Sequence, residues 1–398
     1  MKAIAGLFVL AIVFIVAAIV GGSSGGGESS ETPAPVSEAP SAPTEGAPTQ
    51  APEELGYPAF ATANTTRVGG SDPASNAAGV ALATYPSTNP SQQPEAVTLV
   101  DADDWRGAIA AAVLMAAPVG APVLISGADG VPEPTEQALE ALDPRGGKAT
   151  QGAQAFAIGA ASVPDGLGAR RIGGGGGTAG AAAIAVLRDK LSGGPPRHFV
   201  IAPADEPAFA MPAAAWAARS GDPVLFANRD ELPAATATAL KRHPRTPVYV
   251  LGPSSVISSD VIREISKITS RVSRVSGEDP VTNAIALARY GEGGFGWNVN
   301  DPGHGFAVAR SDAPLEAAAA APLSASGTWG PLLLTDSADT LPVALRGYLL
   351  DVKPGYTTDP TRAFYNHVWV IGDQEAIDVN EQAEIDELAE LAKIGGGE

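Results

Sequence analysis

The sequence predicts an α/β protein in which three small doubly wound units with parallel sheets follow one another along the chain. Three observations favour this fold class. Similar motifs recur with a period of about 100 residues from Thr66 onward. The strand-like segments are short, continuous apolar runs, typical of strands buried on both faces. Alanine-rich helical segments alternate with them, as in βαβ units. Each unit is long enough for its own core, so we expect an array of domains and not a solenoid.

Composition excludes several classes of protein. The 398 residues are 45% hydrophobic and carry a net charge of −19, so the chain lacks the basic excess of a general nucleic-acid binder. Cysteine is absent, which excludes disulfides, thiolate chemistry and cysteine-ligated metals. The 46 glycines, 35 prolines and high apolar content also exclude a wholly coiled-coil or wholly disordered chain.

The first element is an apolar helix in residues 1–22. Residues 3–20 are all apolar or glycine and follow Lys2. As a helix they would span roughly 27 Å, close to the thickness of a thin hydrocarbon core. A secretory signal peptide and an uncleaved membrane anchor remain alternatives. The length of the run and the absence of a convincing Ala-x-Ala site favour the anchor. Both place the rest of the chain outside the cytoplasm.

Residues 23–60 form the second element. They are rich in Gly, Ser, Pro, Thr, Ala and Glu, and no basic residue occurs between Lys2 and Arg67. Such a segment buries too little apolar surface to fold, so we expect a disordered, extended acidic linker.

The three repeated units are predicted at residues 61–168, 169–271 and 272–394. Each opens with a short strand that contains an arginine, followed by an alanine-rich helix, an apolar strand and an alanine block. A second apolar strand, a helix begun near a proline and a closing strand that ends in glycine complete each unit. The opening arginines are Arg67, Arg171 and Arg274, and the closing glycines are Gly159, Gly252 and Gly372. A C-terminal amphipathic helix is predicted in residues 373–390.

This order of motifs resembles the cell wall-binding repeat 2 family of bacterial surface proteins. The motifs are individually weak, but four of them recur in fixed order three times, between Thr66 and about Leu391. The resemblance implies flavodoxin-like or Rossmann-like units packed as a pseudo-threefold trio. It further implies non-covalent attachment to anionic wall polymers, without catalysis.

The chain departs from the family pattern at two motifs. The family usually has Asp-Arg-Tyr after the opening strand, whereas Asp72-Pro73 and Asp279-Pro280 keep only the aspartate. The family's acid at the start of the alanine block falls on Gly107, Ala210 and Glu316, so only the third unit keeps a carboxylate. The candidate ligand-binding residues are Arg67, Arg170, Arg171, Arg274, Asp104 and Glu316. The recurring arginines are expected either to bind a polymer anion bidentately or to pair with a carboxylate between repeats, and the structural alternative is slightly favoured.

The middle unit is the only one with a basic excess. Between residues 160 and 255 there are ten Lys or Arg against seven Asp or Glu. An acidic polymer would find its best electrostatic contact there, and the alternative is that these charges are solvated surface groups. The candidate cations are Arg170, Arg171, Arg197, Lys241, Arg242 and Arg245.

Three further patterns suggest ligand chemistry weakly. Residues 175–180 match G-x-G-x-x-G before a helix, but a run of five glycines satisfies this pattern by chance, and a permissive loop is favoured over a nucleotide site. Residues 101–104 contain three aspartates without calcium-loop spacing. The carboxyl ends of parallel strands are the usual ligand edge, which makes loops 101–106, 203–209 and 310–314 the predicted contact rim.

The sequence therefore predicts a non-catalytic envelope protein that binds cell-wall polysaccharide or a peptidoglycan-linked polymer. No nucleophile elbow, P-loop or metal-binding histidine spacing is present, and neither a cofactor nor nucleic acid is expected. The predicted location is the cell surface or cell wall, with the N-terminal helix in the membrane. A structural scaffold that arrays on itself or recruits an envelope protein is the second hypothesis, and a nucleotide- or sugar-binding enzyme is the third.

Overall fold

The computed structural model describes residues 58–173 and 175–394. The predicted N-terminal helix, residues 1–22, lies outside these residues, as does most of the predicted linker. The linker prediction extends too far, because Pro58–Ala61 form a strand. The strand forms because a neighbouring sheet edge offers partners for its backbone hydrogen bonds, which the amino-acid composition of the segment does not reveal. None of the helices in the described ranges combines the length and apolar character needed to cross a membrane.

The first sheet has four parallel strands in the order β4-β3-β5-β6, flanked by helices. Its strands are β3 (Val97–Asp101), β4 (Val123–Ser126), β5 (Ala155–Ile158) and β6 (Ala169–Ile172). The helices of this part of the chain are α1 (Pro73–Thr84), α2 (Trp105–Ala111), α3 (Glu133–Leu142) and α4 (Gly177–Ser192).

The second sheet repeats this arrangement in the order β10-β9-β7-β8. Its strands are β7 (Phe199–Pro203), β8 (Val224–Ala227), β9 (Val248–Leu251) and β10 (Val272–Val275). The helices here are α5 (Pro207–Ala210), α6 (Pro212–Ser220), α7 (Ala234–Arg242), α8 (Ser259–Ser266) and α9 (Pro280–Arg289).

The third sheet has five strands in the order β1-β2-β14-β11-β12, and of these five only β1 is antiparallel to its neighbour. Its strands are β1 (Pro58–Ala61), β2 (Thr65–Val68), β11 (Gly305–Arg310), β12 (Leu332–Thr335) and β14 (His367–Ile371). The helices are α10 (Pro314–Ala325), α11 (Val343–Asp351) and α12 (Val379–Ala389), and β13 (Gly355–Tyr356) pairs with β15 (Ala392–Lys393). The α/β class and the parallel sheets are thus confirmed.

The sheets do not coincide with the three sequence units. The outer strand of each sheet is the opening strand of the following unit: β6 beside β5, and β10 beside β9. The opening strand of the first unit, β2, pairs in parallel with β14 of the third unit, so the third sheet takes its opening strand from the first unit. The sequence repeats show how often the motifs recur, but not at which motif one sheet ends and the next begins. A sheet that takes a strand from the following unit therefore gives the same repeat pattern as a sheet formed within one unit.

The three alanine blocks meet in one shared hydrophobic core. The alanines of residues 108–112, 213–218 and 317–321 are all buried, and they belong to the same core cluster. In this core α10 packs against α1, α2 and α6. Alanine allows helix axes to approach closely, so the small side chains predicted to cover each sheet also join the three sheets to one another.

Replacing an alanine of this shared core by leucine tests its packing. Ala318 is fully buried in α10, so Ala318→Leu should lower the free energy of unfolding by about 1–3 kcal/mol through overpacking. The matched control is Ala141→Leu on the exposed side of α3, because leucine and alanine have similar helix propensity. Urea denaturation measures both variants. Equal stability of the two would show that the core has free volume at α10.

Candidate functional site

Arg67 of β2 is a buried structural arginine. It is 2% exposed and donates from Nε to Gln382 Oε1 at 2.8 Å. Its Nη1 donates to the carbonyl oxygens of Gly372 at 2.8 Å and Asp373 at 2.6 Å. Burial lowers the pKa of this guanidinium, and the nearby Asp373 and Asp378 carboxylates oppose the shift. Arg67 therefore ties the opening strand to the loop after β14 and is not presented to a ligand.

Arg171 and Arg274 make the corresponding bonds in the other two sheets. Arg171 Nη1 donates to the carbonyl of Ala161 at 2.9 Å. Arg274 donates to the carbonyl of Gly252 and, at 2.7 Å, to that of Ile257. Arg274 is half-buried, whereas Arg171 remains exposed. The recurring arginines thus join the units as the structural alternative predicts, but the predicted carboxylate partner is wrong, because the acceptors are backbone carbonyls.

Asp104 joins the first sheet to the glycine-rich segment. Its carboxylate caps α2 by accepting from Gly107 N at 3.0 Å. Both of its oxygens also lie 3.0 Å from Gly177 N, at the start of α4. A Cβ on Gly176 would lie 2.6 Å from the carboxylate, which explains why glycine is needed at this close approach.

This contact favours a structural loop over a phosphate site for residues 175–180, the segment that matches G-x-G-x-x-G. The N-terminus of a helix attracts one anionic group, and the Asp104 carboxylate already occupies that position on α4. Asp101, in the same cluster, accepts from Asp103 N and Ala160 N. Within the described ranges no group of three or more His, Asp or Glu residues is placed to hold a metal ion.

Glu316 lies at the carboxyl edge of the third sheet beside a small pocket. The pocket has a volume of about 220 Å³ and is also lined by Asn76, Arg310, Asp312 and Glu375. Glu316 Oε1 accepts from Asn76 Nδ2 at 3.0 Å, while Oε2 has no partner among the described residues. The side chain is 6% exposed. Burial raises the pKa of the Glu316 carboxyl to about 7, Asn76 lowers it, and the Asp72 and Asp373 carboxylates raise it further.

The predicted contact rim serves mainly to join the units. In the second sheet the carbonyl of Phe209 accepts from Asn283 Nδ2 at 3.2 Å, just as Glu316 accepts from Asn76. Asn76 and Asn283 were not among the candidates. Each follows a glycine by six residues, Gly70 and Gly277, and bonds to it. That recurrence is the signal by which the sequence would have revealed them.

A cationic groove lies at the free edge of the first sheet. It has a volume of about 390 Å³ and runs between β6 and α4, with Arg170, Arg171 and Lys190 along it. Its apolar floor includes Ile172 and Leu187. Arg170 bonds to Gln151 at 3.2 Å, and Lys190 is exposed in the last turn of α4. The structure therefore places Lys190, a surface cation that the sequence did not distinguish from others, in the same groove as the adjacent candidates Arg170 and Arg171.

The other candidate cations of the middle unit lie elsewhere. Lys241 and Arg242 are exposed at the end of α7, and Arg245 is exposed just beyond it. Arg197 is exposed before β7. These four residues do not line the groove between β6 and α4.

The Glu316 carboxyl should make stability depend on pH. Its pKa is higher in the folded chain than in the unfolded chain, so the folded state binds the proton more tightly, and the free energy of unfolding falls as pH rises from about 4.5 to about 7. Glu316→Gln removes this loss. The stability of the variant relative to wild type should therefore increase by roughly 3 kcal/mol between about pH 4.5 and about pH 8.

Urea denaturation at the two pH values measures this difference. The matched control is Glu140→Gln, at an exposed position of α3, whose stability relative to wild type should not change with pH. A Glu316→Gln variant that tracks wild type at both pH values would show that the carboxyl is ionised at no cost in the folded protein.

Comparisons with known proteins agree with this architecture. Two cell wall proteins of Clostridium difficile have similar structures. Cwp6 matches with a TM-score of 0.64 and 21% identity over 83% of this chain and 48% of its own. Cwp8 matches with a TM-score of 0.59 and 18% identity over 82% of this chain and 52% of its own. The chain thus spans about half the length of these two proteins, and the likeness shows a shared fold. A search of curated proteins finds no match.

The sequence itself matches a family model in its middle part. The matched segment, residues 171–262, begins at the opening arginine of the second unit, Arg171, and includes all of the second sheet except β10. It also includes Lys190 of the cationic groove. Residues 171–262 match the model of the cell wall binding domain 2 (CWB2) family, and this match confirms the predicted resemblance to that family in the middle unit.

Proposed function

We propose that this protein is a non-catalytic binder of a cell-wall polymer or polysaccharide, located at the cell surface or in the cell wall. The observation that carries the proposal is the cationic groove between β6 and α4, part of which belongs to the matched cell wall binding domain. Cwp6 and Cwp8, the structural neighbours, support the surface location. We further propose that residues 1–22 and the linker after them tether the three repeats, residues 61–168, 169–271 and 272–394, to the membrane.

Electrostatics favour the groove as the contact for an acidic polymer. The chain as a whole carries a net charge of −19, so an acidic polymer is repelled by most of its surface. Arg170, Arg171 and Lys190 line the groove and carry positive charges beside its apolar side chains. Surface charges act over only about 8 Å at physiological salt. An acidic polymer is therefore attracted locally, where its anionic groups lie against the cations of the groove, and is repelled by the acidic surface elsewhere.

The groove also has the composition of a binding surface and not of an active site. Arginine and lysine donate hydrogen bonds but accept none, so they hold phosphate or carboxylate groups without taking up a proton. No carboxyl group is among the described residues that line the groove, and the buried Glu316 carboxyl lies at the third sheet beside a different pocket. Binding without bond cleavage is the function that this separation supports.

Charge reversal in the groove tests the proposal. The double variant Arg170→Glu/Lys190→Glu should bind purified cell walls about tenfold more weakly than wild type, since like charges then face the polymer. Arg171 is left in place because it bonds to Ala161. Sedimentation of the protein with walls at increasing protein concentration measures the affinity.

The matched control is Arg263→Glu/Lys267→Glu, which changes the net charge equally at exposed positions on and just after α8. This control should retain wall binding within about twofold, an effect of net charge alone. If both double variants bind equally, the groove is not the contact. If wild type does not sediment with walls at all, the protein is better explained as a scaffold for an envelope protein.

A further inference from the structure

A second cavity lies at the opposite end of the second and third sheets, where their strands begin. Its volume is about 570 Å³. It is enclosed by the residues before β7, the end of α6, the loop between α9 and β11, and the residues before β12. Its walls carry three tryptophans and two arginines, together with His304: Trp216, Trp297, Trp329, Arg197 and Arg219. No pattern in the sequence places these residues together, since they come from four separate segments.

The floor of the cavity is fixed by one buried carboxylate. Asp222 is 1% exposed and accepts from Trp216 Nε1 at 3.1 Å and from His198 Nδ1 at 2.9 Å. Trp297 meets Trp216 edge to face, with ring centroids 5.5 Å apart. The indole N–H of Trp297 is buried and has no acceptor in the described part of the chain. The floor is thus rigid and keeps an unused hydrogen-bond donor.

Trp329 occupies a backbone position that glycine occupies in the other two units. It stands two residues before Pro331 with φ of +60°, while Gly120 and Gly221 stand two residues before Pro122 and Pro223 with φ of +62° and +75°. A bulky residue in this left-handed conformation is strained. Such strain is typically retained at sites where the side chain has a function.

Folding does not account for the choice of tryptophan at this position. The Trp329 side chain is 52% exposed, so it contributes little to the core. The guanidinium of Arg219 lies over its ring, 5.0 Å from the centroid. An exposed aromatic ring beside a cation presents a flat apolar surface next to a donor for anions.

We propose that this cavity binds a sugar residue that carries a phosphate or carboxylate group. The apolar C–H face of a pyranose ring packs on the exposed Trp329 ring, and Arg219 and Arg197 bind the anionic substituent. The ring of His304, which also lines the cavity, is the polar partner for a hydroxyl group. The inference rests on the proposed function, because such sugars are units of an acidic wall polymer. It adds a second contact, distant from the groove between β6 and α4.

Fluorine NMR of the protein labelled with 5-fluorotryptophan tests the site. The chain has five tryptophans, and single Trp→Phe variants assign their resonances. N-acetylglucosamine 1-phosphate and glucuronate, added separately, should shift the resonances of Trp297 and Trp329 in a saturable manner. Trp105 and Trp369, outside the cavity, serve as internal controls and should not move. N-acetylglucosamine alone and inorganic phosphate alone should act more weakly.

Trp329→Gly separates binding from folding, because the other two units carry glycine at this position. The variant should keep or raise the melting temperature and weaken the binding of the sugar phosphate by about tenfold, the loss expected for an aromatic anchor. Four results would overturn the proposal: no shift with either anionic sugar, equal shifts of all tryptophans, full effect of inorganic phosphate alone, or unchanged affinity of Trp329→Gly.

The two proposals fail separately. If walls bind the protein and charge reversal in the groove weakens this binding, but no sugar shifts Trp297 or Trp329, the cavity assignment falls and the proposed function stands. If the sugars bind in the cavity but wild type does not sediment with walls, the proposed function falls.

Discussion

Parallel pairing between the closing strand of one sheet and the opening strand of the next sequence unit holds the three sheets in one body. In the third sheet this pairing brings together β2 and β14, which lie about 300 residues apart in the chain. The backbone hydrogen bonds alone do not determine which strand pairs there. The guanidinium of the opening arginine adds bonds to the carbonyls of the loop after the closing strand. Each of the three sheets thus includes the opening strand of the next sequence unit, and no unit contains all the strands of one sheet.

The same arginine position has different surroundings in the three sheets. Around Arg67, helix α12 covers the loop after β14, and Gln382 of that helix accepts from Nε. Arg67 is therefore sealed from solvent. Arg171 keeps its bond to Ala161 but stays exposed at the sheet edge, with Arg170 beside it in β6. The segment after the closing strand thus determines whether the repeated arginine is buried, as Arg67 is, or exposed, as Arg171 is.

The units join through the edge of the sheet that usually binds ligands in open α/β proteins. The contacts there are Asp104 with Gly177, Phe209 with Asn283, and Glu316 with Asn76. Each contact places the start of the next unit's helix at the carboxyl ends of the strands. The groove between β6 and α4 and the tryptophan cavity both lie away from these contacts, the first at the lateral edge of the first sheet and the second at the amino ends of the second and third sheets.

The α/β class and the parallel sheets could be predicted from the sequence, because apolar strands and alanine blocks recur in a fixed order that local physics interprets directly. The family is predicted from the resemblance of the repeated motifs to those of known cell wall-binding repeats. The positions of Arg67, Arg171 and Arg274 could be singled out from the same recurrence. Their binding to carbonyls could not, nor could the place of Asp104 at the helix N-terminus that the glycine pattern offers to a phosphate. The meeting of Trp297 and Trp329 in one cavity likewise depends on the folded chain. The physical reason is that the hydrophobic periodicity of the sequence indicates which face of a helix or strand is buried. The segment that packs against that face depends on contacts between residues far apart in the sequence.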